Sequence, residues 1–142
     1  MPFEGGPYVQ AACFCDLVIE DKSGSISLIR IIDNLTRTAP SGNIPDTLDP
    51  FIYNLKLVIM LKADKVVGRH TVHIEPELPN GSTLPKVSLN IQMKGEEFGA
   101  NIIMNMPFQF TLEGLYWFFV YFDDALITKI PFRVIYNPIR SG

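Results

Sequence analysis

Apolar residues recur at every second position through most of the chain, in runs broken by Gly, Pro, Asn and Asp, while helical spacing is almost absent. Successive side chains of a strand point to opposite faces, so this pattern predicts half-buried β-strands. In the first run, 9–20, Val9, Ala11, Cys13, Cys15, Leu17 and Ile19 share one face, and Gln10, Phe14, Asp16, Val18 and Glu20 share the other. Asp21-Lys22-Ser23-Gly24 reads as a hairpin turn, with Gly24 free to take a positive φ. The next run, Ile26 to Thr38, shifts its apolar set between Leu28 and Ile29, which predicts a β-bulge. The stretch 39–50, APSGNIPDTLDP, is the longest predicted loop.

Further runs cover 51–63, with Phe51, Tyr53, Leu55, Leu57, Ile59 and Leu61 on one face, and 66–75, with Val66, His70, Val72 and Ile74 together. Asn80-Gly81 marks a turn before the regular alternation of 86–94. Residues 95–99 turn the chain again, and Ile102, Met104, Met106, Phe108, Phe110 and Leu112 form the next face. Pro107 falls on the outward set of that run, which suggests a sheet edge or a break. The last two runs, 115–122 and 125–136, join across Asp123-Asp124 as a tight hairpin.

About eight one-sided strands are most simply buried in a two-layer antiparallel sandwich. The 142 residues fit one domain spanning 1–142, with no boundary or repeat. A chain of about that length buries roughly 68–70% of its unfolded surface, enough for a core without staples. Leu112-Glu113-Gly114-Leu115-Tyr116 has the L-x-G-x-Y form of a tyrosine corner. There the phenol bonds back to the backbone at the crossover between sheets. The expected fold is therefore all-β, an immunoglobulin-like Greek key, with a jelly roll as the alternative.

Residues 115–122 read LYWFFVYF, apolar on both alternate sets. With Tyr116, Phe118, Val120 and Phe122 inside, the outer set holds Trp117, Phe119 and Tyr121. If the 51–63 run and the last strand are the neighbours, Val58, Met60, Trp117, Phe119, Tyr121, Ile127 and Ile135 make one outer patch. Lys56, Lys62, Lys129 and Arg133 rim it. Such a patch exceeds the few hundred Å² that soluble monomers expose. Burying each aromatic is worth about 1.5–3 kcal/mol, so a cover is expected. The candidates are the chain's own 39–50 loop, N-terminal segment or tail 137–142; a second copy, sheet against sheet; or a ligand. Carbohydrate stacking falls in the last class, although the single Trp has aliphatic neighbours rather than the amides and carboxylates that hydroxyl recognition uses.

Other chemistry finds little support in the residues. A net charge of −3 is small and of the wrong sign for phosphate neutralisation, so no nucleic-acid partner is expected. No apolar run reaches the ~18–20 residues of a membrane helix, and MPFEGGPYVQ shows no secretory pattern, so a cytoplasmic location is expected. Cys13 and Cys15 share a strand face with diverging Cβ atoms, which suits buried thiols better than a disulfide or a metal site. His70 and His73 lie three apart on a strand and face opposite sides, His70 as a strand-end structural residue and His73 as a solvated one. Asp123-Asp124 and Glu96-Glu97 read as turns rather than calcium ligands. No nucleophile-elbow, zincin or phosphate-loop motif occurs. The expectation is a non-catalytic protein-interaction module without a cofactor, self-associating through an apolar sheet face or binding a protein partner. A module for a carbohydrate or peptide is the alternative.

Two end segments carry a resemblance. ACFCDLVIEDKSGSISLIRIID has a "CD-x-V" strand, a short hairpin and a "SLIRI-D" strand, and GLYWFFVYFDDALITKIPFRVIY has the form "G-x-Y-x-F-x-V-x-x-D…IP-x-x-V". Together they resemble the opening and closing hairpins of a family of small uncharacterised bacterial proteins. The resemblance covers about a third of the chain. It implies a bacterial or phage-related β-sandwich, and no activity or functional residue comes with it.

Overall fold

A computed structural model describes residues 4–38 and 47–137. Among these described residues there are seven strands: β1 (Tyr8–Glu20), β2 (Ile26–Ile32), β3 (Asn34–Thr38), β4 (Phe51–Glu77), β5 (Val87–Phe110), β6 (Gly114–Phe122) and β7 (Ala125–Asn137). The paired runs 51–63 and 66–75 are one strand, β4, and the runs on either side of 95–99 are likewise one strand, β5. Register shifts in the β4–β5 ladder lie between Lys62, Asp64 and Val67. Asp64 and Glu96 there take φ of 58°, and Gly95 takes 85°. This bend passes both strands from one layer to the other.

The first layer is β2-β1-β4-β5, using residues 51–62 of β4 and 99–110 of β5. The second is β5-β4-β6-β7-β3, using residues 87–94 and 67–77 of the same two strands. All pairings are antiparallel except β3 with β7. The immunoglobulin-like sandwich expected from the sequence is the fold observed. β5 pairs with β4 alone, so Pro107 does sit on an edge strand.

The core is aromatic where the layers meet. Phe14 of β1 packs edge-on against Phe118 (4.9 Å between centroids) and Phe132 (5.7 Å). Phe110 of β5 meets Tyr116 at 5.0 Å and stacks on Phe132 at 5.3 Å. Leu55, Leu57, Ile59 and Leu61 of β4 fill the space between. Gly99 is required by close approach, because a Cβ there would overlap the Leu61 backbone carbonyl.

The tyrosine corner is formed. The Tyr116 hydroxyl accepts from the Thr111 N–H (3.1 Å) and the Leu112 N–H (2.9 Å), and donates to the Leu112 carbonyl (2.8 Å). Gly114 takes φ of 129°, a conformation an L side chain rarely adopts. Gly24 (φ 86°) and Gly81 (φ 88°) close their predicted turns. Asp123 and Asp124 take φ of 45° and 69°, the left-handed pair of a type I′ hairpin turn.

One expectation about strand regularity is corrected. The run Ile26–Thr38 holds no bulge: the β1–β2 ladder keeps one register from Glu20–Ile26 to Phe14–Ile32. Its pattern changes inside β2 because both alternate sets there are apolar, Leu28 pairing with Val18, and Ile29 and Ile31 with Leu17 and Cys15. The bulges lie elsewhere, between Val9 and Ala11 in β1 and at the β6–β7 turn.

Candidate functional site

The parity of β6 is as expected: Tyr116, Phe118, Val120 and Phe122 are buried, and Leu115, Trp117, Phe119 and Tyr121 project outward, half-buried. The last strand, β7, lies beside β6 as expected, but the 51–63 run does not. β6 pairs with residues 72–77 of β4, so the outward ladder rows are Glu77–Trp117–Pro131, Glu75–Phe119–Lys129 and His73–Tyr121–Leu126. The aromatic row therefore has two glutamates along one side and Lys129 and Arg133 along the other. Lys129 lays its ammonium over the Trp117 ring, 4.4 Å from the centroid, a cation–π contact.

The seven expected surface residues do not form one patch. Trp117, Phe119, Tyr121 and Ile135 share the outer face of the second layer. Ile127 does not: a register shift between Val120 and Tyr121 leaves it unpaired and packed against the core, and Leu126 faces out instead, 54% exposed. Val58 and Met60 lie on the outer face of the first layer, because the half of β4 that carries them pairs with β1 and β5. Val58 is wholly buried there, and Met60 is half-buried.

That first outer face is also apolar. In ladder rows it carries Cys15 with Ile31, Leu17 with Ile29, Ile19 with Ser27, and Cys13–Val58–Ile103. Leu17, Ile19, Ile29 and Ile31 are 43–62% exposed. Beyond Cys15 the β1–β2 hairpin leaves β4 and continues as a two-stranded arm. Asp21 shapes its tip, its Oδ1 accepting from the Ser23 N–H (2.8 Å) and the Ser25 N–H (3.1 Å). The rows from Lys56 to Lys62 hold those two lysines and no carboxylate on this side.

Sequence reasoning missed this face because the regular apolar set of β1 looked like a core face. The core instead takes Phe14, whose own set mixes Ala12 and Val18 with Gln10, Asp16 and Glu20. The usable signal was the second apolar set of β2, since Ile26 and Leu28 alternate with Ile29 and Ile31.

The titratable groups are tied down. His70 bonds through Nδ1 to the Asp123 carboxylate and through Nε2 to the Val67 carbonyl (2.8 Å), and stacks on Phe122. These bonds raise its pKa, Asp123 contributing most. Asp123 is held below the usual carboxylate range, first by the Thr71 N–H and then by His70. His70 is thus structural, as expected, but it lies inside β4, paired with Ile91, rather than at a strand end. His73 is not solvated but 7% exposed, stacked on Tyr121 at 4.7 Å. Burial pushes the Cys13 and Cys15 thiols up, so both stay protonated and weakly nucleophilic. Among the described residues, no three His, Cys, Asp or Glu side chains gather as a metal site needs. No helix among them is long and apolar enough to cross a membrane.

An apolar groove of about 340 Å³ opens beside the β5 edge, lined by Leu78, Leu84, Val87, Met106 and Phe108 among others. No acid or base lines it.

Fold and surfaces together define an immunoglobulin-like β-sandwich whose distinctive chemistry lies on its two outer faces. The chain belongs to a family of unknown function, DUF6941, whose model matches residues 10–135. That range holds nearly all of both segments on which the resemblance to uncharacterised bacterial proteins rests. Among curated proteins none matches the chain in sequence. Among solved structures, it is similar to an immunoglobulin-like protein from Pseudomonas aeruginosa, with 11% identity over 91% of this chain and 96% of that one, at a TM-score of 0.44.

Proposed function

We propose that the protein is a non-catalytic interaction module that docks a protein partner on the outer face of its first layer. One observation carries the reading: Leu17, Ile19, Ile29 and Ile31 form a contiguous, solvent-facing aliphatic surface on an arm that, among the described residues, pairs with nothing beyond itself. An isolated two-stranded hairpin is marginal in water, and soluble monomers rarely leave a patch of this kind uncovered. Lys56 and Lys62, unopposed by acid in their rows, favour a partner surface that is apolar with carboxylates at its margin. Both histidines are engaged by their own chain and both thiols are held protonated, which supports a binding rather than a catalytic role.

The test is quantitative affinity purification from the native host with the wild-type chain and an Ile29→Glu/Ile31→Glu variant, each checked for folding. A defined set of proteins retained by the wild type and lost with the variant is expected. Identical retention by both would refute the face.

A further inference from the structure

The outer face of the second layer fits a different occupant, and the geometry points to a second copy of this chain. We infer that the protein forms a two-fold dimer, sheet against sheet, about an axis running along β6. Glu75 and Lys129 flank Phe119 in a single ladder row, one strand to either side. Glu77 and Pro131 flank Trp117 in the next row, and Arg133 lies opposite Leu115 in the row after. The face is therefore acidic along β4, aromatic along β6 and basic along β7.

Two such faces can meet about an axis across the strands or along them. An axis across the strands would set glutamates against glutamates. An axis along β6 exchanges the two sides, so Glu75 faces the partner's Lys129 and the partner's Glu75 faces Lys129. The same operation lays Trp117, Phe119 and Tyr121 over their own counterparts. Charges that oppose themselves under one axis and complement under the other select the second. Neither Glu75 nor Lys129 is paired with an opposite charge of its own chain among the described residues; the ion pairs Arg30–Asp16 and His70–Asp123 lie elsewhere.

The chain's own described ends do not cover this row. Gly5 accepts a hydrogen bond from the Lys65 N–H at the β4 bend, and Leu48 is buried in the core. Residues 39–46 and 138–142, expected as possible covers, lie outside the described residues. Five strands about 4.8 Å apart and about six residues deep give a face of roughly 24 by 20 Å. That sits at the low end of specific interfaces, so the dimer is expected at high micromolar concentration.

Sedimentation and the emission of Trp117, the only tryptophan, measure it together. The wild type should dimerise with a concentration-dependent blue shift. Glu75→Lys and Lys129→Glu should each weaken the dimer by about tenfold or more, since each change acts twice across a two-fold axis. The Glu75→Lys/Lys129→Glu double variant should restore it to within about threefold, which no loss of folding could mimic. The Ile29→Glu/Ile31→Glu variant should dimerise normally. A wild-type chain still monomeric at about 1 mM would overturn the inference. So would a monomer whose Trp117 is already buried, or one whose emission responds to a soluble sugar or peptide. A double variant no better than the single ones would overturn the axis.

Discussion

The two outer faces are held in opposite ways. The aromatic row stands on the best-fastened part of the fold: the Tyr116 corner below one end, the Asp123-Asp124 turn at the other, and strands paired on both sides. The aliphatic arm hangs from β4 at Cys15 and from there is supported by one partner strand only. A fixed face with charges of both signs suits recognition of a fixed copy of itself. An arm with few contacts can adapt to another surface, since segments with few buried apolar contacts open at low free-energy cost.

Three measurements test that contrast. The largest effect is expected from Tyr116→Phe, which leaves the Thr111 and Leu112 N–H groups without their acceptor. A loss of about 1–3 kcal/mol in urea unfolding is expected, and a change under about 0.5 kcal/mol would show that the corner does not fasten this end. A smaller effect is expected from pH. His70 has a raised pKa, so its contribution is complete below about pH 6.5 and is lost as pH rises through the folded value. The Asp123 pKa is lowered, so its contribution is present above about pH 4 and is lost on acidification below that. The unfolding midpoint should therefore fall from pH 6 to pH 8, and Asp123→Asn should flatten that slope. An unchanged slope in the variant would remove the turn from the list of fastenings. The smallest effect is expected on the arm, where Ile31→Thr should change stability by no more than about 0.5 kcal/mol. A loss above about 1 kcal/mol would mean that Ile31 is packed in the free chain, contrary to its 62% exposure.

Most of the fold was legible because sheets write themselves in parity. The alternation of β6, the L-x-G-x-Y corner and the Asp-Asp turn fixed three features that the structure shows in place. What could not be read was strand adjacency. Nothing in the 51–63 run says that its continuation past Asp64, rather than the run itself, lies beside β6. Val58 and Met60 were placed on the wrong layer for that reason. Ile127 was misplaced by a single extra residue at a register shift, which reverses parity without leaving a compositional mark. His73 looked solvated because its own set is polar, while its burial comes from Tyr121 on another strand.

β4 and β5 each run unbroken through both layers, crossing at the Asp64–Glu96 bend. The layers thus have no separate chains to part along: tension on the arm reaches β4 through its pairing with β1 and is delivered by the same backbone to the strand beside the aromatic row. A partner pulling on one side of this molecule would be tugging on the seat of whatever occupies the other.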